Sequence, residues 1–134
     1  MAVFTLEVVT QERTVVMTEV EYVLLPGTDG SFGILSGHQP IMASLGIGVL
    51  EFGPLHGKRR KIALGGGFME MNGDRLNVMA HTAELAEEID VLRARQAKQR
   101  AEQRLADRHG DLDIARAQIA LQKALLRLKV ANGD

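Results

Sequence analysis

Apolar positions along the first eighty residues come in short runs, and beyond them the pattern changes to a helical period. Runs rich in Val, Ile, Leu and Thr recur between turn residues: Val3 to Val9, Thr14 to Met17, Val20 to Leu25, Ile41 to Ala43, Ile47 to Phe52, Lys61 to Leu64, Phe68 to Met71 and Leu76 to Ala80. Short β-branched segments at such intervals predict the strands of an antiparallel sandwich or barrel. Asn72-Gly73, flanked by Met69, Met71, Leu76 and Val78, predicts a tight hairpin, because both residues tolerate positive φ.

From Ile89 the spacing is that of a helix. Asp90 is a candidate N-cap, and Ala94, Ala97, Ala101 and Leu105 follow at intervals of three, four and four, which predicts a helix to about Arg108. His109-Gly110-Asp111 interrupts the pattern, with Gly110 suited to a left-handed cap and Asp111 or Asp113 to starting the next helix. Ile114, Ala117, Leu121, Ala124 or Leu125, and Leu128 then form a second stripe, so a short turn joins two antiparallel helices. Residues 1–83 hold twelve glycines and all three prolines, against two glycines in residues 84–134. The expected architecture is therefore a β-sandwich over 1–84 followed by a helical hairpin over 85–134. Alanine buries little apolar area, so a hairpin closed mainly by alanines is expected to be modestly stable and able to detach.

Length and composition narrow the function. A chain of 134 residues, 46% apolar and 25% charged, has the proportions of one folded globular unit with a small appendage rather than of a disordered protein. Sixteen Lys and Arg against seventeen Asp and Glu leave a formal charge of -1, which gives no global field for nucleic acid or an acidic membrane. One Tyr, four Phe and no Trp offer little stacking surface for single strands. The absence of Cys removes disulfides, thiolate metal sites and Cys nucleophiles together. No run approaches the roughly 20 apolar residues of a membrane span, and the first residues lack a secretory pattern, so a cytoplasmic chain is expected.

Catalytic patterns are weak. Gly65-Gly66-Gly67 lacks the Lys-Ser or Lys-Thr of a phosphate loop and falls between strand runs, which predicts a bulge or close backbone approach. His38, His56, His81 and His109 include no pair at helical metal-site spacing. Ser31, Ser36 and Ser44 lack a nucleophile-elbow context, so no catalytic residue is expected. Lys58-Arg59-Arg60-Lys61 reads as a solvated hairpin tip, with nucleic-acid contact as the alternative. Arg93, Arg100 and Arg104 on the first helix are repeated in spacing by Arg116, Lys123 and Arg127 on the second. Two readings stand for these stripes: a solvated face with intrahelical pairs, or a converging site for an anion or an acidic partner.

The order Leu24-Leu25-Pro26-Gly27-Thr28-Asp29-Gly30-Ser31-Phe32-Gly33-Ile34-Leu35-Ser36-Gly37-His38-Gln39-Pro40 is followed by Gly65 to Glu70 and by Ala80-His81-Thr82-Ala83-Glu84. With Ile89-Asp90-Val91-Leu92-Arg93-Ala94 and the Ala-rich hairpin, it resembles the epsilon subunit of bacterial rotary ATP synthases over essentially the whole chain. The resemblance implies a non-catalytic central-stalk subunit, peripheral on the cytoplasmic face of the cell membrane, bound to a gamma subunit and seated on a ring of c subunits. It also implies that Gly27, Gly30, Ser31, Phe32, Gly33, His38 and Pro40 form a glycine-rich partner-contacting loop. The family often carries an acid where this chain has Ser31.

The resemblance further implies a hairpin that folds down in one state and extends into the alpha and beta subunits in another, inhibiting ATP hydrolysis. ATP is the implied regulatory ligand of the folded state, with no obligatory cofactor and Mg²⁺ as a possible companion. Carried over by position, its site comprises Glu84, Ile89, Asp90, Arg93, Ala94, Arg100, Lys123 and Arg127. Lys123 stands where an Arg is found in a well-known ATP-binding form, replacing a planar bidentate donor with a compact charge. The alternatives are the same rotor subunit without ATP sensing and, on the residues alone, a basic helical-hairpin adaptor for nucleic acid. Ile89 to Ala94 is equally a plain helix start with an Asp cap.

Overall fold

The computed structural model describes residues 2–107 and 111–133, without the side chains of 111 and 112. The chain forms two compact units, Met1–Leu85 and Ala86–Asp134. The first consists of β1 (Phe4–Val9), β2 (Thr14–Val20), β3 (Tyr22–Gly27), β4 (Gly30–Leu35), β5 (Ile41–Gly53), β6 (Arg60–Asn72), β7 (Arg75–Ala80) and β8 (Ala83–Leu85). The second is a 3-10 turn (Ala86–Glu88), α1 (Val91–Asp107) and α2 (Asp111–Ala131). No helix among the described residues is long and apolar enough to cross a membrane.

The strands pair in the order β2-β1-β7-β6-β5-β3-β4, with β8 on β6. All pairings are antiparallel except β1 with β7. Alternation decides which side chains enter the sandwich. In β1 the buried residues are Phe4, Leu6 and Val8, and in β7 they are Leu76, Val78 and Ala80. Leu50, Ile62, Leu64, Met69 and Met71 from the two long strands complete the centre of the core, all fully buried.

The sequence divides β5 and β6 into four strands, whereas each is one strand of 13 residues. Glycines bend these strands instead of breaking them. The β5–β6 ladder pairs Leu45 with Gly67 and Ile47 with Gly65, lapsing only at Gly46 and Gly66. Past the bend β6 exchanges neighbours, pairing with β8 in its first part and β7 in its second. A side chain at Gly65 would overlap Thr82 Oγ1, and one at Gly67, where φ is +141°, would overlap the Met79 carbonyl oxygen. The expected close approach is thus present, secured by Gly65 N to Thr82 O at 2.8 Å and His81 N to Gly66 O at 3.0 Å.

The hairpin expected at Asn72-Gly73 is also present, with its turn moved by one residue. Asn72 pairs with Arg75, which leaves Gly73, at φ +66°, and Asp74 as the central residues. The basic run lies at the β5–β6 tip and begins ordered: Arg59 lies 4.3 Å over the Tyr22 ring and donates to the Pro54 and Leu55 carbonyls. Arg60 lies 5.4 Å over Phe52.

Candidate functional site

Two surfaces carry the residues of interest, one in each unit. On the helical unit, Asp90 is the N-cap: its Oδ1 accepts the Arg93 amide hydrogen at N···O 3.1 Å, and its carbonyl accepts from Ala94. Ile89 and Ala94 of the expected ATP set are buried packing residues, at 9% and 3% exposure. The expected cap at Gly110 lies outside the described residues. Helix α2 starts at Asp111, so Asp113 belongs to its first turn.

The helices pack along Ala94 and Ala101 against the stripe of Ala117 and Ala124, all nearly inaccessible to solvent. Each pair is seven residues apart, and the ends of α1 and α2 put Ala101 level with Ala117 and Ala94 level with Ala124. Small side chains permit this close approach. Arg93, Arg100 and Arg104 each precede a residue of the α1 stripe, and Arg116, Lys123 and Arg127 each precede one of the α2 stripe. The offset has the same sense on both helices. Two antiparallel helices are related by a two-fold axis normal to their common plane, so equal offsets fall on the same broad face of the hairpin.

Along that face Arg93 lies level with the stretch between Lys123 and Arg127, while Arg100 lies level with Arg116. Arg116, absent from the expected site, therefore belongs to the same basic face. Arg93, Arg100, Arg104 and Arg116 are exposed, and Lys123 and Arg127 are half-buried. Glu84, the remaining expected residue, is on β8 of the sandwich unit and is half-buried.

The stretch from Gly27 to Pro40, expected as a loop, is mostly a β-hairpin. Gly27 pairs with Gly30 around Thr28-Asp29, and Leu24 pairs with Gly33. These glycines are there for strand contact: a Cβ at Gly27 would meet Phe32 at 2.8 Å, and one at Gly33 would meet the Tyr22 hydroxyl at 2.5 Å. Irregular chain is confined to the turn and to the segment between Leu35 and Ile41. Gly30, Ser31, Gly33, His38 and Pro40 are exposed, whereas Phe32 packs against the core; His38 Nδ1 lies 2.8 Å from the Gln39 carbonyl oxygen.

A further surface was not singled out by the sequence. The register of β5, β6, β7, β1 and β2 aligns two rows on their outer face. One row runs Ser44, Phe68, Met79 and Val9, and the next runs Met42, Glu70, Asn77, Glu7 and Met17. Met42, Met17 and Phe68 are 69%, 54% and 46% exposed, a concentration of large apolar side chains on one sheet face. Glu7 lies 3.8 Å from Arg75 across this face. The alternation Phe68-Met69-Glu70-Met71 holds the signal: a phenylalanine that shares its side with an acid faces outward, while Met69 and Met71, which alternate with them, fill the core.

Comparison with known proteins covers both units. Residues 3–86 match the ATP synthase delta/epsilon chain β-sandwich domain, and residues 87–132 match its long α-helix domain. The chain is 48% identical to the ATP synthase epsilon chain of Desulforamulus reducens over 94% of its own length and 95% of that protein's. It is 46% identical to that of Symbiobacterium thermophilum, over 98% of this chain and 94% of the relative. A chain in the cryo-EM structure of the Euglena gracilis mitochondrial ATP synthase shares the fold, with a TM-score of 0.81 at 23% identity, covering 98% of this chain and 82% of that one. Strands, glycine bends and Ala-faced helices thus agree with sequence over nearly every residue: the chain belongs to the ATP synthase delta/epsilon chain family.

Proposed function

We propose that this chain is the epsilon-type central-stalk subunit of a rotary ATP synthase, performing no bond chemistry itself and coupling rotor movement to the catalytic sector. The observation that carries the reading is the sheet face with exposed Met17, Met42 and Phe68 and half-buried Met79, carried by a chain of this family. A face of this kind is a docking surface, and a gamma subunit is its occupant. The turn at Thr28-Asp29 and the segment Ser36 to Pro40 lie toward the ring of c subunits. The complex is held at the membrane by that ring, so this chain needs no span of its own.

The finer part of the proposal concerns the hairpin. Its basic face suits a polyphosphate: Arg93, Lys123 and Arg127 neutralise charge at one level, with Arg100 and Arg116 beyond. A ligand that prefers the folded hairpin shifts the population toward it in proportion to its differential affinity. ATP then holds the hairpin down when plentiful, and its depletion lets the hairpin extend toward alpha and beta subunits and inhibit hydrolysis. Asp90 contributes by fixing the start of α1, and Ile89 and Ala94 by packing.

The experiment is reconstitution of the full chain with cognate alpha, beta and gamma subunits, followed by hydrolysis assays, beside calorimetric titration of the chain with ATP with and without Mg²⁺. Association with the gamma-containing complex and suppressed hydrolysis support the stalk function, and failure to associate sinks it. Saturable ATP binding lost in an Arg93→Ala, Arg127→Ala variant supports sensing. No binding up to millimolar ATP leaves a stalk subunit whose basic face serves protein contacts.

A further inference from the structure

Glu70 stands mid-strand on the outer face of β6, opposite Met42 on β5 and Asn77 on β7, with Phe68 two residues before it on the same side. Its side chain belongs to a half-buried residue and has neither a hydrogen bond nor an ion pair among the described residues. The other acid of the row, Glu7, has Arg75 at 3.8 Å. Among the described residues Glu70 has no such counter-charge. Beside it, Asn77 Oδ1 is buried and accepts no hydrogen bond. Between Phe68 and Met42 the Glu70 carboxylate thus stands without an ion pair among the described residues, while the other charges of the face, Glu7 and Arg75, pair with each other.

In the free chain, water solvates the Glu70 carboxylate. A protein surface laid over Met42, Phe68 and Met79 would remove that water together with the water on the apolar groups. A carboxylate desolvated without a partner opposes the association that the surrounding apolar contacts drive. The face therefore discriminates among occupants. A purely apolar surface leaves the charge unpaired, an acidic one or a nucleic acid adds repulsion, and a surface carrying a cation at this point gains most, from both terms.

We propose that the subunit docking on this face presents an apolar surface with one Arg or Lys at its centre, and that this cation pairs with Glu70. The inference rests on the docking reading above and adds the chemistry of the partner's contact. The apolar residues supply the adhesion and the single charge pair fixes the register. With strands on either side holding Glu70, a shift of the partner by one residue separates cation from carboxylate. Arg75 is already engaged with Glu7.

The experiment measures binding of the full chain to its cognate alpha-beta-gamma complex purified without it, at several salt concentrations. The variants are Glu70→Gln, Glu70→Lys, Phe68→Ser and, as a control in the other unit, Glu102→Gln. The expected results are at least about a tenfold loss of affinity and a weaker salt dependence for Glu70→Gln. A larger loss is expected for Glu70→Lys and none for Glu102→Gln. Because Glu70 makes no hydrogen bond or ion pair among the described residues, and glutamine keeps its shape, the melting temperature of isolated Glu70→Gln should equal or exceed that of the original. A fall in melting temperature would assign Glu70 a structural role and overturn the proposal. Unchanged affinity of Glu70→Gln, with Phe68→Ser weakened, would overturn the cation pair and leave the docking face standing. No binding by the original chain would remove the docking reading and this inference with it.

Discussion

The Asp90 carboxylate accepts the amide hydrogen of Arg93 at N···O 3.1 Å, so one residue of the Ile-Asp-x-x-Arg-Ala segment holds the backbone of another. An acid in this segment therefore has a structural task whether or not a nucleotide binds. Asp90→Ala should cost about 1 kcal/mol of hairpin stability, and Asp90→Asn, which retains the capping oxygen, much less. Thermal melts followed at 222 nm measure the cap. If Asp90→Asn melts like the original chain yet loses ATP affinity, the carboxylate charge acts on ligand beyond its cap.

The alanine seam sets a steric limit. Ala94 and Ala101 are buried at 3% and 2% exposure where the helices approach. Ala101→Leu should force the axes apart and destabilise the hairpin by about 1–3 kcal/mol, through overpacking rather than lost propensity. Loss of helical circular dichroism at a lower temperature, with the hydrogen-exchange protection of β6 and β7 retained, is the expected outcome.

The bend in β6 should be the least tolerant glycine site. At Gly67 a side chain meets both positive φ and the Met79 carbonyl oxygen, whereas at Gly30, with φ +128°, no atom lies within 4 Å. Urea denaturation should show Gly67→Ala losing more than about 2 kcal/mol and Gly30→Ala only the smaller cost of backbone strain. Equal losses would mean that crowding at the bend contributes little.

Methionines separate the core from the outer sheet face within one chain. Met71 is fully buried and Met42 is 69% exposed. Met71→Ala should cost about 2–5 kcal/mol in the isolated chain, and Met42→Ala should stay within about 0.5 kcal/mol. Binding to the gamma-containing complex should respond in the opposite order once stability is restored by working well below the melting temperature.

Arg59 fastens the β5–β6 tip through the Tyr22 ring and two backbone carbonyls. Arg59→Ala should cost about 1–2 kcal/mol. Faster amide exchange confined to the tip is the accompanying signature, and unchanged exchange there would assign its order to the backbone alone.

Local periodicity was enough to determine the two-part architecture, the close approach at Gly65 to Gly67, the hairpin near Asn72 and the Asp90 cap. Each depends on residues within a few positions of one another, where φ preference, side-chain reach and helical spacing act directly. The same reading divided β5 and β6 at their glycines, because a glycine marks either a turn or a bend and only the strands beside it distinguish the two. Gly33 likewise reads as loop until Tyr22 is seen against it.

The basic stripes were visible as spacings, but their common face follows from the antiparallel packing of Ala94 and Ala101 on Ala117 and Ala124. The outer face was least visible, since Met42, Phe68, Met79 and Met17 lie on four strands and nothing local says that they share a side. Strand pairing alone put them on one face, with Met42 and Phe68 beside Glu70 and Met17 at the far end of its row. Sequence carries the alternation within each strand, and the tertiary register, set by burial of the opposite face across the whole sheet, decides which strands add their exposed residues into one surface.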